Sequence, residues 1–339
     1  MTFHTQTTLV GLARAAVDAR LRMTEYVATP NATAYLEQLV QDRWASVTDD
    51  PPPQAVVDTI IRTTNNVWRN GEPFVAAPAM TAIVAAAAEA LDLTGDLLTR
   101  EAAPSDSGIL FLPEPIFVRG HSGELTRLAA ITWATISSPH RSSWIISGWV
   151  DHEAADDSLG QKLRTADPSG RTGQTIGPYV LVTYNVLPIA SPVPAKDNLG
   201  PIDDTEQDWQ PAPDGSYVIA AESEVGNAAA IAYAFWCIQA QPLATVARPP
   251  LARAARRRAQ RASIIHDTRV VMLRRTAPIA EPGDGEAKWH YRVRFFVKGH
   301  WRRLVDKDGQ PYRIWIHVHI KGPNGAPLLH GEKVAVLAR

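Results

Sequence analysis

Histidines and arginines are interleaved in one stretch near the C-terminal end of the chain. His290, His300, His317 and His319 stand among Arg292, Arg294, Lys298, Arg302, Arg303 and Arg313. Imidazoles gain and lose protons near neutral pH and also ligate metals. Guanidinium forks match the oxygens of a phosphate. As a strand, Trp289–Lys298 puts His290, Arg292, Arg294, Phe296 and Lys298 on one side. Tyr312–Lys321 puts Trp315, His317, His319 and Lys321 on one side, joined by Arg313, and Ile314, Ile316, Val318 and Ile320 on the other. Paired as a hairpin, these strands would gather His290, Arg292, Arg294, His317 and His319 on one basic face. His300-Trp301-Arg302-Arg303 would then begin the connecting loop.

Three chemistries suit such a face. A metal site would use His317-x-His319 with His300 or His290 as third ligand. No carboxylate lies close by in sequence, so no metal is expected, and no cofactor is implied. A metal-independent ribonuclease would use His300 or His317 as general base and arginines to hold the phosphate. The third possibility is binding alone, to nucleic acid or to an acidic protein. Trp289, Trp301 and Trp315 lie among these cations, where they would either stack on bases or pack in a core.

A second cationic feature precedes the strands. Leu251–Ala262 is built almost wholly of alanine and arginine, both good helix formers. Arg253, Arg256, Arg257 and Arg261 fall on one side of that helix, a row suited to a phosphate backbone. From Arg248 to Arg339 there are 20 Lys/Arg against 7 Asp/Glu; the first 247 residues hold 14 and 28. A net charge of −1 thus hides two oppositely charged parts, and the basic part points to a polyanion such as nucleic acid.

The elements that must position these residues follow from patterning. An apolar content of 45% with 20% charged residues is that of a folded protein. Residues 1–103 read as helical. Leu9, Leu12, Ala16, Ala19 and Met23 keep helical spacing, and further helices follow Pro30, Pro53 and Pro78. Residues 104–247 read as a mixed β region with strands over Ile109–Phe117, Leu128–Ile136, Ser143–Val150 and Tyr179–Pro188, ending in a buried helix over Ser216–Gln241. Residues 248–339 read as a basic module, the arginine helix plus β-strands, with a turn at Asp306–Gly309. The expected class is α+β. Trp68, Trp133, Trp144, Trp149 and Trp236 sit in apolar surroundings and are expected in the core.

Other classes lack their signatures. There is no Walker A loop, H-E-x-x-H pair, G-x-S-x-G elbow or dinucleotide loop. Asp151, Glu153, Asp156 and Asp157 lack the spacing of a calcium loop and read as a solvated acidic loop. The single cysteine, Cys237, excludes an internal disulfide and reads as a small buried hydrophobe. No secretory signal or membrane span is evident, so a cytoplasmic location without membrane contact is expected.

The stretch Val297-Lys298-Gly299-His300-Trp301-Arg302-Arg303, followed by Arg313-Ile314-Trp315-Ile316 and Lys321-Gly322, resembles a C-terminal signature of the VA-two-like family of type V-A anti-CRISPR proteins and of related actinobacterial and actinophage proteins. Ala234-Phe235-Trp236-Cys237-Ile238-Gln239 and the arginine helix are similar to the corresponding part of those proteins. The resemblance implies an anti-defence regulator of a phage, plasmid or bacterial host. Such a protein lowers production of a target protein during translation, with loss of its message. Its basic module would contact messenger or ribosome-associated RNA, and its acidic remainder a nascent or folded protein.

Overall fold

The computed structural model describes residues 8–45, 50–91, 93, 98–119, 125–138, 141–154, 165, 177–189, 218–220, 227–274, 295–297, 299–307, 309, 311–316 and 319–321. The chain forms two compact units, Met1–Leu273 and Arg274–Arg339.

The first unit is an α+β layered structure. Three helices open it: α1 (Leu9–Tyr26), α2 (Pro30–Ala45) and α3 (Gln54–Asn70). Strand β1 (Glu72–Ala76) and helix α4 (Pro78–Glu89) follow, then β2 (Ser107–Arg119), β3 (Leu125–Ser138), β4 (Arg141–Asp151), β5 (Tyr179–Pro188) and β6 (Val218–Ala220). Helix α5 (Asn227–Gln239), β7 (Ala244–Ala247), α6 (Arg253–Arg261) and β8 (Arg269–Leu273) complete it. The mixed sheet runs β5-β4-β3-β2-β1-β8-β7. Pairs β2–β1 and β1–β8 are parallel; β5–β4, β4–β3, β3–β2 and β8–β7 are antiparallel. β2 changes neighbour along its length. Its first half pairs β1, and its last residues pair β6 beyond a register shift at Pro113-Glu114-Pro115. Proline cannot donate to a ladder, so the break falls there.

Each face of the sheet is covered. On one, Met23, Leu36, Val57, Ile60 and Trp68 of α1–α3 pack on Val75, Ile109, Phe111, Ile145 and Trp149. Trp68 sits at its centre, 5.0 Å from Trp149 and 5.6 Å from Tyr179 between ring centroids. On the other face α4 and α5 cover an aromatic layer of Phe74, Trp133, Trp144, Phe235 and Trp236. Two buried indole N–H groups are satisfied, Trp144 donating to the Leu98 carbonyl at 2.7 Å and Trp149 to Thr132 Oγ1 at 3.0 Å, whereas those of Trp68 and Trp236 have no hydrogen-bond partner among the described residues. All five tryptophans expected in the core are buried.

Several sequence expectations change. The segment 1–103 is not wholly helical: Phe74-Val75-Ala76 belongs to a strand buried on both sides. Such a strand shows a continuous apolar run, which merges in sequence with the alanine-rich helix after it. Ser216–Gln241 contains strand β6 as well as a helix. The divisions at 103 and 247 do not separate compact units, because β1, β7 and β8 all enter one sheet. The arginine helix therefore belongs to the first unit, not with the strands that follow it. Divided at Leu273, the second unit holds 13 Lys/Arg against 6 Asp/Glu and the first 21 against 29.

A buried arginine joins distant parts of the first unit. Arg20 has no exposed surface. It donates through Nε to the Trp68 carbonyl (3.0 Å) and through one terminal nitrogen to the Arg69 carbonyl (2.8 Å). Its other terminal nitrogen donates to the Ile265 carbonyl. Trp68 and Arg69 lie in the last turn of α3, whose carbonyls have no acceptor role within the helix and carry the negative end of its dipole. Burial pushes the Arg20 pKa down from the ordinary arginine range to about 9. We predict that Arg20→Met, which leaves the Trp68 and Ile265 carbonyls without this donor and the Arg69 carbonyl with only the Ile265 N–H, lowers unfolding free energy by about 3 kcal/mol or more. Urea denaturation measures this; an unchanged midpoint would show that the clamp is dispensable.

Candidate nucleic-acid interface

The second unit contains β9 (Phe295–Val297), β10 (His300–Val305), β11 (Pro311–Ile316) and β12 (His319–Lys321). β10 pairs β11 antiparallel from His300↔Ile316 to Val305↔Pro311, and β9 pairs β12 from Phe295↔Lys321 to Val297↔His319. The two ladders share one register but are separate two-stranded sheets among the described residues; β10–β11 is the longer and forms a ribbon. Its turn lies beyond Val305, where the Gly309 N–H donates to the Asp306 carbonyl at 3.1 Å. The turn is where the sequence places it. His300-Trp301-Arg302-Arg303, expected as loop, is strand instead. His300, Arg302 and Leu304 alternate there with Trp301, Arg303 and Val305, the period of a strand.

The register also alters the expected basic face. His319 stands opposite Val297, and Ile320 opposite Phe296. The alternate set containing Phe296 is therefore not the one that meets His319. His290, Arg292, Arg294, Lys298 and His317 lie outside the described residues. His300 is exposed and opposite Ile316.

On the described ribbon, Trp301, Arg303, Arg313 and Trp315 share one side; His300, Arg302, Leu304, Tyr312, Ile314 and Ile316 share the other. The two tryptophans meet edge-on at 5.3 Å, and Trp315 is 5% exposed. Of the stacking candidates in the sequence, Trp315 is thus a packing residue and Trp301 is half-buried against it; Trp289 lies outside the described residues. A Cβ at Gly299 would fall 2.4 Å from the Trp315 ring, so only glycine lets the ring lie over that backbone. Part of the Gly-His-Trp signature is therefore explained by packing. Arg302 and Arg303 are exposed.

The arginine helix α6 is built in the opposite manner. Ala255 and Ala259 are buried, and Ala259 packs with Val17 of α1 and Ile264. Arg253, Arg256, Arg257 and Arg261 are exposed, as their spacing predicts, although Arg261 lines, with Arg258, a cleft beside Asp18, Arg22 and Glu25 of α1. Arg258 lies closer to α1 and donates to Asp18 at 2.8 Å. The helix ends in a Schellman turn: Ile264 N–H reaches the Ala259 carbonyl at 3.1 Å, with Ser263 at φ +53° where glycine is usual. Arg253, Arg256, Arg257, Arg302 and Arg303 have no ion pair among the described residues.

The acidic stretch after β4 is organised by its own chain. Asp151 accepts the Glu153 N–H at 2.8 Å, and Glu153 pairs with Arg22; Asp156 and Asp157 lie outside the described residues. Cys237 is half-buried in α5. Among the described residues no helix is long and apolar enough to cross a membrane.

No protein-family model matches the chain, and no curated protein matches it. Sequence reasoning missed Tyr312, which is 46% exposed on the ribbon side opposite the tryptophans. Its signal was the phase of the alternation, readable once His300–Val305 is taken as strand.

Gly299→Ala should destabilise the second unit by about 1–3 kcal/mol, the usual cost of overpacking. Near-ultraviolet circular dichroism should lose part of its tryptophan signal. A variant that keeps both its melting curve and that signal would contradict the packing role.

Proposed function

We propose that this protein binds RNA through the basic ribbon of its second unit and lowers expression of a target message during translation. The observation that carries this reading is the exposed run His300, Arg302 and Arg303 on β10, where neither arginine has an ion pair among the described residues. Arginines without an internal acidic partner are available to phosphates, and charge-assisted forks to phosphate are strong interactions. The translation-coupled, anti-defence part of the proposal rests on the resemblance at Gly299-His300-Trp301 and the strand after it. Arg253, Arg256 and Arg257 of α6 offer a second cationic surface, on the first unit. RNA, messenger or ribosome-associated, is the proposed partner.

Binding is the reading adopted: His300 stands exposed on β10, one row from Arg302, on a surface that a phosphate can reach.

Fluorescence anisotropy with a labelled RNA across a salt series tests the proposal. Arg302→Ala with Arg303→Ala should weaken binding about tenfold and flatten the log–log salt slope by about 0.7 for each phosphate no longer neutralised. RNA hydrolysis by the wild type that His300→Ala abolishes, with binding retained, would instead establish the nuclease reading. No binding of any RNA at low salt would remove both.

A further inference from the structure

We infer that the ribbon side carrying His300, Arg302 and Tyr312 is a stacking platform for unpaired RNA, with Tyr312 holding a base. The inference rests on the RNA-binding reading above and names the class of RNA and the side that takes it.

The two sides of the ribbon differ in what they leave open. The tryptophan side is used for packing: Trp315 is buried, Trp301 lies edge-on against it, and the Gly299 backbone closes on the same ring. A base cannot stack on the buried indole without breaking that packing. The other side has rows His300–Ile316, Arg302–Ile314 and Leu304–Tyr312. His300, Arg302 and Tyr312 are exposed there, while Leu304, Ile314 and Ile316 are half-buried and form an aliphatic floor between them.

This arrangement matches the chemistry of a single strand. Successive rows are about 7 Å apart, two residues along a strand, so the cations and the ring are set out stepwise. Such spacing suits consecutive nucleotides of an extended strand. Unpaired bases offer flat faces to an aromatic ring, whereas bases in a stem are already stacked on each other. Arg302 and His300 supply donors to phosphates or base edges beside the ring. Tyr312 lies on the strand opposite His300 and Arg302, so a bound strand would cross from β11 to β10 at a shallow angle.

The test uses the full chain and two labelled RNAs of equal length, an oligouridine strand and a hairpin stem, measured by anisotropy at fixed salt. The wild type should bind the unpaired strand at least about tenfold more tightly than the stem. Tyr312→Ala should weaken binding of the unpaired strand about tenfold, within the range for losing one stacked base, and Tyr312→Phe should restore it. Tyr312 is 46% exposed, so both variants should melt as the wild type does. Binding of the strand by Tyr312→Ala within twofold of wild type, or tighter binding of the stem, would overturn the platform and leave the RNA-binding reading standing. If the wild type binds neither RNA at low salt, that reading falls, and the platform with it.

Discussion

The buried guanidinium of Arg20 joins three stretches of chain that are remote in sequence: the middle of α1, the end of α3, and the segment that follows the arginine helix. A charge without exposed surface is tolerable only when its donors are satisfied. Here three backbone carbonyls receive them, two from a helix end that needs donors. The interaction fixes α3, hence Trp68, over the sheet. It also fixes where the chain leaves α6, and so where β8 enters beside β1. The Schellman turn at Ser263 and the backbone bond from Ile265 to Arg69 direct the same segment.

The same distinction, between a charge engaged within the fold and one left in water, organises the functional reading. Several arginines counted in the sequence as part of a basic tail are engaged. Arg258 binds Asp18, Arg248 pairs Asp267, and Arg269 pairs Glu72 while lying over the Phe74 ring at 5.1 Å. These surface and edge pairs contribute little stability each, but they account for charge that would otherwise be assigned to a partner. Arg302 and Arg303 on the ribbon, and Arg253, Arg256 and Arg257 on α6, are different: they are exposed and have no ion pair among the described residues. A charge count does not separate the two groups, because it contains no information on neighbours distant in sequence.

What was legible in the sequence was what depends on local periodicity. The helical spacing of Leu12, Ala16, Ala19 and Met23, the strands from Ile109 to Pro188, the exposed row on the arginine helix and the turn near Gly309 are all read from neighbours along the chain. Two kinds of feature were not. Phe74-Val75-Ala76 is central and buried on both sides, so it lacks the alternation that marks a half-buried strand. The pairing of Val297 with His319 is a matter of register, and a shift of one residue exchanges the sides on which all side chains lie. That is why a grouping of His319 with the Phe296 set is plausible in sequence and absent from the ladder. Arg20 left a faint signal: an arginine at helical spacing from Ala16 and Met23, on the buried side of α1.

Packing and open charge meet on the ribbon. Gly299, Trp301 and Trp315 pack together on one side, where Arg303 stays exposed, and the other side presents Arg302 and Tyr312 at the surface. RNA bound by this protein should therefore touch the ribbon before any other surface. Ultraviolet crosslinking of the full chain to a photoreactive RNA, with the crosslinked residues located by mass spectrometry, measures this directly. Crosslinks within His300–Ile316 are expected. Crosslinks confined to the first unit, or none at low salt, would contradict the RNA-binding ribbon.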